Sequence, residues 1–303
     1  MSTSTPPTPA PPETPALGTP SLGGFAQAWN RLKQNRMAVI SAGILMIIVL
    51  LAIFAPWISP HDYAQQDLLS AFALPSWEHW LGTDELGRDV LSRLLVGARI
   101  SMAVAVLSTL TIVIIGTLWG AIAGYFGGTI DETMMRFVDI LFALPYMFFI
   151  IIITVIFGHD IFNLFIAIGA LSWLTMARIV RGQVLSVKNK DFVMAAKMLG
   201  SSHSKIIANH LIPNVIGAIT VYAAVTVPRM ILVEAFLSFL GLGVQEPMPS
   251  WGSLCNDGTA ALSTAPWLIL WPGILMAVTL VCFNYLGDGL RDALDPELQT
   301  ENI

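Results

Sequence analysis

From Met37 to Ile58 the chain runs 22 residues without a charged side chain, and from Ile100 to Ile130 it runs 31. About 20 apolar residues in a helix cross a hydrocarbon layer of about 30 Å. Composition places these runs in lipid. Hydrophobic residues make up 55% of the 303 and charged residues 12%, against about 25% charged in a soluble domain. Further apolar runs are Ile140 to Gly158, Ile161 to Ala177, Val215 to Val227 and Trp267 to Leu286. The fourth run reaches spanning length if it extends to Val180 with Arg178 snorkelling to the interface. The fifth must continue through Pro228, Arg229 and Glu234. In lipid a helix satisfies its own backbone. The pattern therefore predicts an all-α polytopic membrane protein with about six transmembrane helices, near 37–58, 100–124, 137–158, 161–180, 214–238 and 267–287.

The flanks divide the rest. Seven prolines fall within the first 24 residues. Residues 1–28 read as a disordered Pro-rich tail that cannot bury enough apolar surface to order itself. It is not a signal peptide, because the apolar run begins only at Met37 and is too long. Residues 29–303 form the transmembrane domain. Cys255 is expected in a loop and Cys282 in a span, so no disulfide is expected. With the N-terminus inside, 11 of the 15 Lys and Arg residues also lie inside, which predicts cytoplasmic N- and C-termini. Arg88, Arg93 and Arg99 stand against that trend, beside Asp84, Glu85 and Asp89. Residues 59–99 become an outer loop with Trp77 and Trp80, and Thr83 or Asp84 could cap a helix running toward Ile100.

Residues 187–213 form an inner loop with a helical pattern. Phe192, Ala195, Ala196 and Leu199 share one helix face, starting from Asp191. Gly200 stops that helix. Ser201 or Ser202 caps a second, from His203 to Leu211, which Pro213 ends. The hairpin either joins two spans along the membrane surface or offers the small residues Ala195, Ala196 and Gly200 to a partner. Charges within the spans are a second signal. Asp139, Arg229 and Glu234 sit where a charge costs about 2.5–3.5 kcal/mol. They are either structural or line a hydrated translocation path. Five residues turn a helix by roughly 140°, a poor geometry for an Arg229–Glu234 pair.

Several chemistries have no sequence signal. There is no phosphate loop before Lys205, no Gly-x-Ser-x-Gly elbow, and no i, i+4 histidine pair with a flanking Glu. His203 and His210 read as solvated loop residues. Asp288, Asp292 and Asp295 suit a surface turn better than a metal site. No catalytic residue, no metal site and no cofactor is expected in this chain.

The hairpin's Ala195-Ala196-x-x-x-Gly200, followed by Ile212-Pro213, resembles the cytoplasmic coupling motif of ABC importer permeases. It departs from that motif at Met194, His210 and Ile212, where Glu, an aliphatic residue and Leu are usual. Leu81-Gly82-Thr83-Asp84-x-x-Gly87-Arg88-Asp89 resembles the outer-loop signature of dipeptide and oligopeptide permease C-subunits. So do Gly124-Tyr125-Phe126-Gly127-Gly128, Met135-Arg136, Asp139, Phe236 to Gly243, Trp251-Gly252 and the ending Gly287 to Pro296. The resemblance covers Trp29 to Pro296. It is nearest to the oligopeptide permease C-subunit through Ala177 to Gln183 and Gly243-x-Gln245-Glu246-Pro247.

The resemblance implies a type I ABC importer permease (MetI-like) bundle in a bacterial inner membrane. Its implied partners are a sister permease, two cytoplasmic ATPases carrying ATP and Mg, and an extracytoplasmic peptide-binding protein. No nucleic acid is implied. It also implies that Asp191, Ala195, Ala196, Gly200 and Pro213 form the ATPase-coupling contact. The expected function is the translocation subunit of an ATP-driven oligopeptide importer, without an ATPase site of its own. The alternatives are a related importer for dipeptides or another small ligand, and an ATP-independent secondary carrier. A carrier would be expected to show inverted halves, and no such symmetry is visible. An intramembrane enzyme would need paired polar residues at one depth, and only Asp139, Arg229 and Glu234 are candidates.

Overall fold

A computed structural model describes residues 23–158 and 160–294. The expected disordered tail lies outside the described residues as far as position 22. From Gly23 the chain is helical, so residues 23–28, expected to be part of that tail, belong to a helix. Helix α1 covers Gly23–Gln34 and α2 covers Arg36–Ile58. Asn35 separates them, and its side chain accepts the Ala38 N–H at 3.2 Å, capping α2. The bundle face that carries α1 is called the near face below, and the opposite one the far face.

Beyond α2 a loop runs to Asp89, and α3 (Val90–Phe126) returns to the near face. The span expected from Ile100 begins ten residues earlier, and the helix expected from Glu85 toward Ile100 starts only at Val90, so its cap is neither Thr83 nor Asp84. Asp89 is the cap, accepting the Ser92 N–H at 2.8 Å. Asp84 is engaged in the preceding turn, where its Oδ1 accepts the Leu86 and Arg88 N–H groups, each at 2.9 Å. Arg93 and Arg99 masked the early start, because charge reads as loop when its partners are unseen.

Gly127 and Gly128, both with positive φ, turn α3 into α4 (Gly128–Phe142). The expected single span over 137–158 is broken. Helices α4 and α5 (Tyr146–Phe157) meet at 82°. Pro145 lies at the break. It has no N–H to donate and disfavours helical geometry in the residue before it. Helix α6 (Ile161–Val187) returns to the near face and runs seven residues past its expected end. There α7 (Asp191–Met198) and α8 (His203–Ile206) form a hairpin.

Pro213 does not end the second helix of that hairpin. A wide π turn over Ile207–Leu211 carries α8 straight into α9 (Ile212–Phe239). Proline is tolerated within the first turn, and the Asn214 side-chain amide donates to the His210 carbonyl at 2.6 Å. Helix α10 (Trp251–Ala260) lies at the far face, and α11 (Trp267–Leu294) crosses back. Cys255 is therefore on a helix, not in a loop. Among the described residues, five helical stretches are long and apolar enough to cross a membrane, and six if the bent α4–α5 pair is one span. Among the described residues there is no strand, and the fold is an all-α membrane bundle.

The centre of the bundle is the α3–α6 contact, and three glycines set its closeness. Gly116, Gly120 and Gly124 recur every fourth residue along one face of α3. An added Cβ at Gly120 would lie 2.3 Å from the Ala177 carbonyl oxygen, and at Gly116 2.5 Å from Met176 Cβ. Small residues at this spacing let backbones approach where lipid supplies no hydrophobic drive between helices. Gly124 is thus a packing residue and not a helix breaker. Trp119 and Trp173 fill the space beside this seam, with ring centres 5.1 Å apart.

Candidate functional site

The α7–α8 hairpin is built around Gly200. Its φ of +77° is left-handed, and it closes α7 with two paired hydrogen bonds. The Ser201 N–H donates to the Ala196 carbonyl at 3.1 Å and the Gly200 N–H to the Lys197 carbonyl at 3.0 Å. This double closure favours glycine at that position. Asp191 opens the helix at its positive end, where a carboxylate is stabilised by the helix dipole.

The faces of α7 differ from the expected ones. Val193 and Ala196 point into the protein's own core, together with Ile206. Ala195 and Gly200 lie open. Around them stand Phe192, Met194, Met198 and Leu199, the last two 89% and 86% exposed. The open face therefore combines small residues with flexible apolar ones, and Ala196 anchors the helix from behind.

The hairpin is tied to the near-face end of α3. The Tyr125 hydroxyl lies 2.7 Å from His203 Nδ1. The His203 ring packs at a tilt against Phe126, with ring centres 5.5 Å apart, and the Lys197 ammonium lies 5.1 Å from the centre of the Tyr125 ring. Lys188, just before the hairpin, donates to the Gly124 carbonyl at 2.9 Å. His203 is thus a fastening residue, although its sequence context reads as solvated loop. The Tyr125–His203 link spans 78 positions, which local periodicity cannot reveal.

The charges within the spans part company. Glu234 is fully buried. It accepts hydroxyl protons from Ser101 of α3 at 2.8 Å and Ser238 at 2.7 Å. Ser101 in turn accepts the Trp251 N–H at 3.1 Å. One side chain therefore joins α9 to α3 and, through Ser101, to the start of α10. Arg229 faces another way. It is exposed and lines a cavity of about 470 Å³ with Met147, Met276 and Cys255. Burial pushes the Cys255 thiol up to about 11, so it is protonated and unreactive at neutral pH. Asp139 sits on the last turn of α4, exposed, and accepts from Arg178 of α6 at 2.6 Å. A second α4–α6 pair, Asp131 with Arg181, is bidentate at 2.5 and 2.7 Å. The span residues named from the sequence are therefore dispersed: Glu234 in the interior, Arg229 in an apolar cavity, Asp139 on the surface.

An ionic knot holds the far-face loop. Arg88 donates to Asp84 at 2.7 Å and to Glu246 at 2.8 Å. Arg93 also pairs with Asp84 and lies 3.4 Å from Asp257. Burial opposes the Arg88 charge, but its bonds to Glu246 and Asp84 outweigh that and hold its pKa above the ordinary value. Burial likewise raises the Asp257 carboxyl, with Arg93 and Arg88 pulling the other way. Two of the three arginines that disturbed the charge asymmetry, Arg88 and Arg93, are therefore buried and paired with carboxylates, while Arg99 is exposed.

The chain is similar in sequence to known proteins over most of its length. Residues 116–300 match the family of binding-protein-dependent transport system inner membrane components. Residues 25–75 match the N-terminal transmembrane domain of oligopeptide transport permease C. The oligopeptide transport system permease protein OppC of Haemophilus influenzae is 51% identical over 275 residues, covering 90% of this chain and 88% of that protein. The dipeptide transport system permease protein DppC of Bacillus subtilis is 44% identical over 288 residues, covering 95% and 90%. The glutathione transport system permease protein GsiD of Escherichia coli is 40% identical over 274 residues, covering 89% and 90%.

Proposed function

The chain belongs to the family of binding-protein-dependent transport system inner membrane components, and we propose that it is the translocating subunit of an ATP-driven oligopeptide importer in a bacterial inner membrane. A sister permease completes the path, two cytoplasmic ATPases drive it, and an extracytoplasmic binding protein delivers peptide. ATP and Mg reside on the ATPases. The near face, with both termini and the hairpin, is cytoplasmic. Oligopeptides are preferred as cargo because relatives named for oligopeptides reach 51% identity, against 44% and 40% for those named for dipeptides and glutathione.

The observation that carries this reading is the hairpin. It places exposed Phe192, Met194, Met198 and Leu199 around the small residues Ala195 and Gly200. It fastens that face to α3 through Tyr125 and His203. An open apolar helix face on an aqueous surface needs a covering groove. A rigid link to α3 lets movement in that groove reach the bundle. In this reading Asp191 and Gly200 shape α7, Ala195 meets the ATPase, Ala196 seats the helix, and Pro213 lies in the continuous turn into α9. Arg229 and Asp139 face the path, while Glu234 locks α3 to α9.

Ala195→Trp tests the contact without disturbing the left-handed Gly200. The variant should reach the membrane normally and hold its sister permease. Recovery of ATPase on affinity purification in mild detergent should fall about tenfold, the loss of roughly 1.4 kcal/mol of docking. Wild-type ATPase recovery together with wild-type uptake would remove Ala195 from the interface.

A further inference from the structure

Three metal-binding side chains converge at the far face, where the 59–89 loop meets α3. His61, His79 and Asp89 each bring one ligand atom to within 4.8 Å of the others. Asp89 divides its labour. Its Oδ2 caps α3 by accepting the Ser92 N–H and hydroxyl, at 2.8 and 2.7 Å. Its Oδ1 faces the two rings, 2.9 Å from His79 Nδ1 and 3.8 Å from His61 Nδ1. His61 Nδ1 is buried and has no hydrogen-bond partner, so a donor atom in this cluster is left unused. The rings lie 4.7 Å apart, centre to centre. The His61 backbone is fixed from both sides, by its N–H to Ser92 Oγ at 3.3 Å and its carbonyl to Ser59 Oγ at 2.9 Å.

We propose that His61, His79 and Asp89 form a binding site for a divalent transition-metal ion of the zinc class. Zinc binds imidazole nitrogen and carboxylate oxygen at about 2.0–2.2 Å, which puts tetrahedral ligand atoms about 3.3 Å apart. The two Asp89 distances bracket that value. Two imidazoles and one carboxylate suit zinc, copper or nickel better than magnesium or calcium, and three protein ligands leave a fourth position for water. His61 also lines an open cavity of about 750 Å³ with Tyr63 and Arg99, which gives water and ions a route to the cluster. When the ion binds, it displaces the His79–Asp89 hydrogen bond. The proton on His79 Nδ1 leaves to solvent, and Nε2 takes one up, so the ring stays neutral. The ion would staple three points of the loop, 18 and 10 positions apart, to the base of α3. The site does not depend on which cargo the chain moves.

The test uses the full chain, purified in detergent with a tag that contains no histidine. After stripping with a chelator, zinc is titrated back in competition with a chromophoric chelator. Wild type should bind one zinc per chain and melt at a higher temperature with zinc than without. His61→Phe keeps a ring against His79 and removes the donor, so it should lose both effects while matching the stripped wild type in elution and melting. Should His61→Phe fail to elute as wild type, His61→Gln is measured in its place. His210→Ala should behave as wild type. A wild-type chain that holds no stoichiometric zinc overturns the proposal. So does zinc held equally by the His61 variant, which would mark an adventitious ion only.

Discussion

Arg229 and Glu234 lie five residues apart on one helix, and the roughly 140° between them sends them to different surroundings. Glu234 is enclosed by the Ser101 and Ser238 hydroxyls, and Arg229 opens into an apolar cavity. Removing the Glu234 carboxyl leaves those hydroxyls buried without their acceptor, at about 1–3 kcal/mol. Glu234→Ala should therefore lower the melting temperature of the detergent-solubilised chain, whereas Arg229→Gln should leave it unchanged. In uptake the order reverses. Arg229→Gln should reduce peptide transport with normal membrane abundance, and Glu234→Gln, which still accepts a hydrogen bond, should transport normally. Full transport by Arg229→Gln would take Arg229 out of the path. The angular separation of the two residues was legible from spacing alone. The partners of Glu234 were not, because Ser101 lies 133 positions away and an isolated serine in an apolar run carries no signal.

Elements were legible where their cause is local. Gly200 stops α7 because a left-handed residue closes a helix, and the apolar runs of α2 and α11 announce spans by length, whereas those of α6 and α9 reach it only by extending past Arg178 and through Arg229 and Glu234. Three boundaries were misplaced because their causes are not in the pattern. Asp89 rather than Asp84 caps α3, since Asp84 is held by Arg88 and Arg93. Pro145 divides a run whose hydrophobicity is continuous. Pro213 is absorbed by a π turn and stops nothing. The offered face of α7 also differs by one residue, because Ala196 is buried beside Val193 while Ala195 and Gly200 are exposed. The fastening of this hairpin to α3 carries the element-scale prediction. Tyr125→Phe removes the hydroxyl 2.7 Å from His203, a net loss of about 1 kcal/mol. The assembled complex should keep its ATPases and its ATP hydrolysis, but import less peptide per ATP. An unchanged ratio of peptide imported to ATP hydrolysed would show that force does not pass through this link.

At the scale of the whole molecule, a glycine seam holds α3 against α6, and most other helices present large apolar side chains outward. Ile40, Met46, Ile47, Phe148 and Ile156 are among the exposed ones, a surface made for lipid or for a second membrane subunit. Charged side chains gather at the two ends: exposed Lys190, Lys197 and Lys205 around the hairpin on the near face, and the knot of buried Arg88 and Arg93 with Glu246 and Asp257 on the far face. Such a chain can move cargo only if energy enters at one end and is felt at the other. The most direct measurement is peptide accumulation in proteoliposomes containing the complete complex, with ATP enclosed and binding protein plus labelled peptide outside. Peptide should accumulate in wild-type vesicles only when ATP is enclosed, and accumulation should collapse in the Ala195→Trp complex. Accumulation without ATP, or driven by an ion gradient alone, would contradict the account.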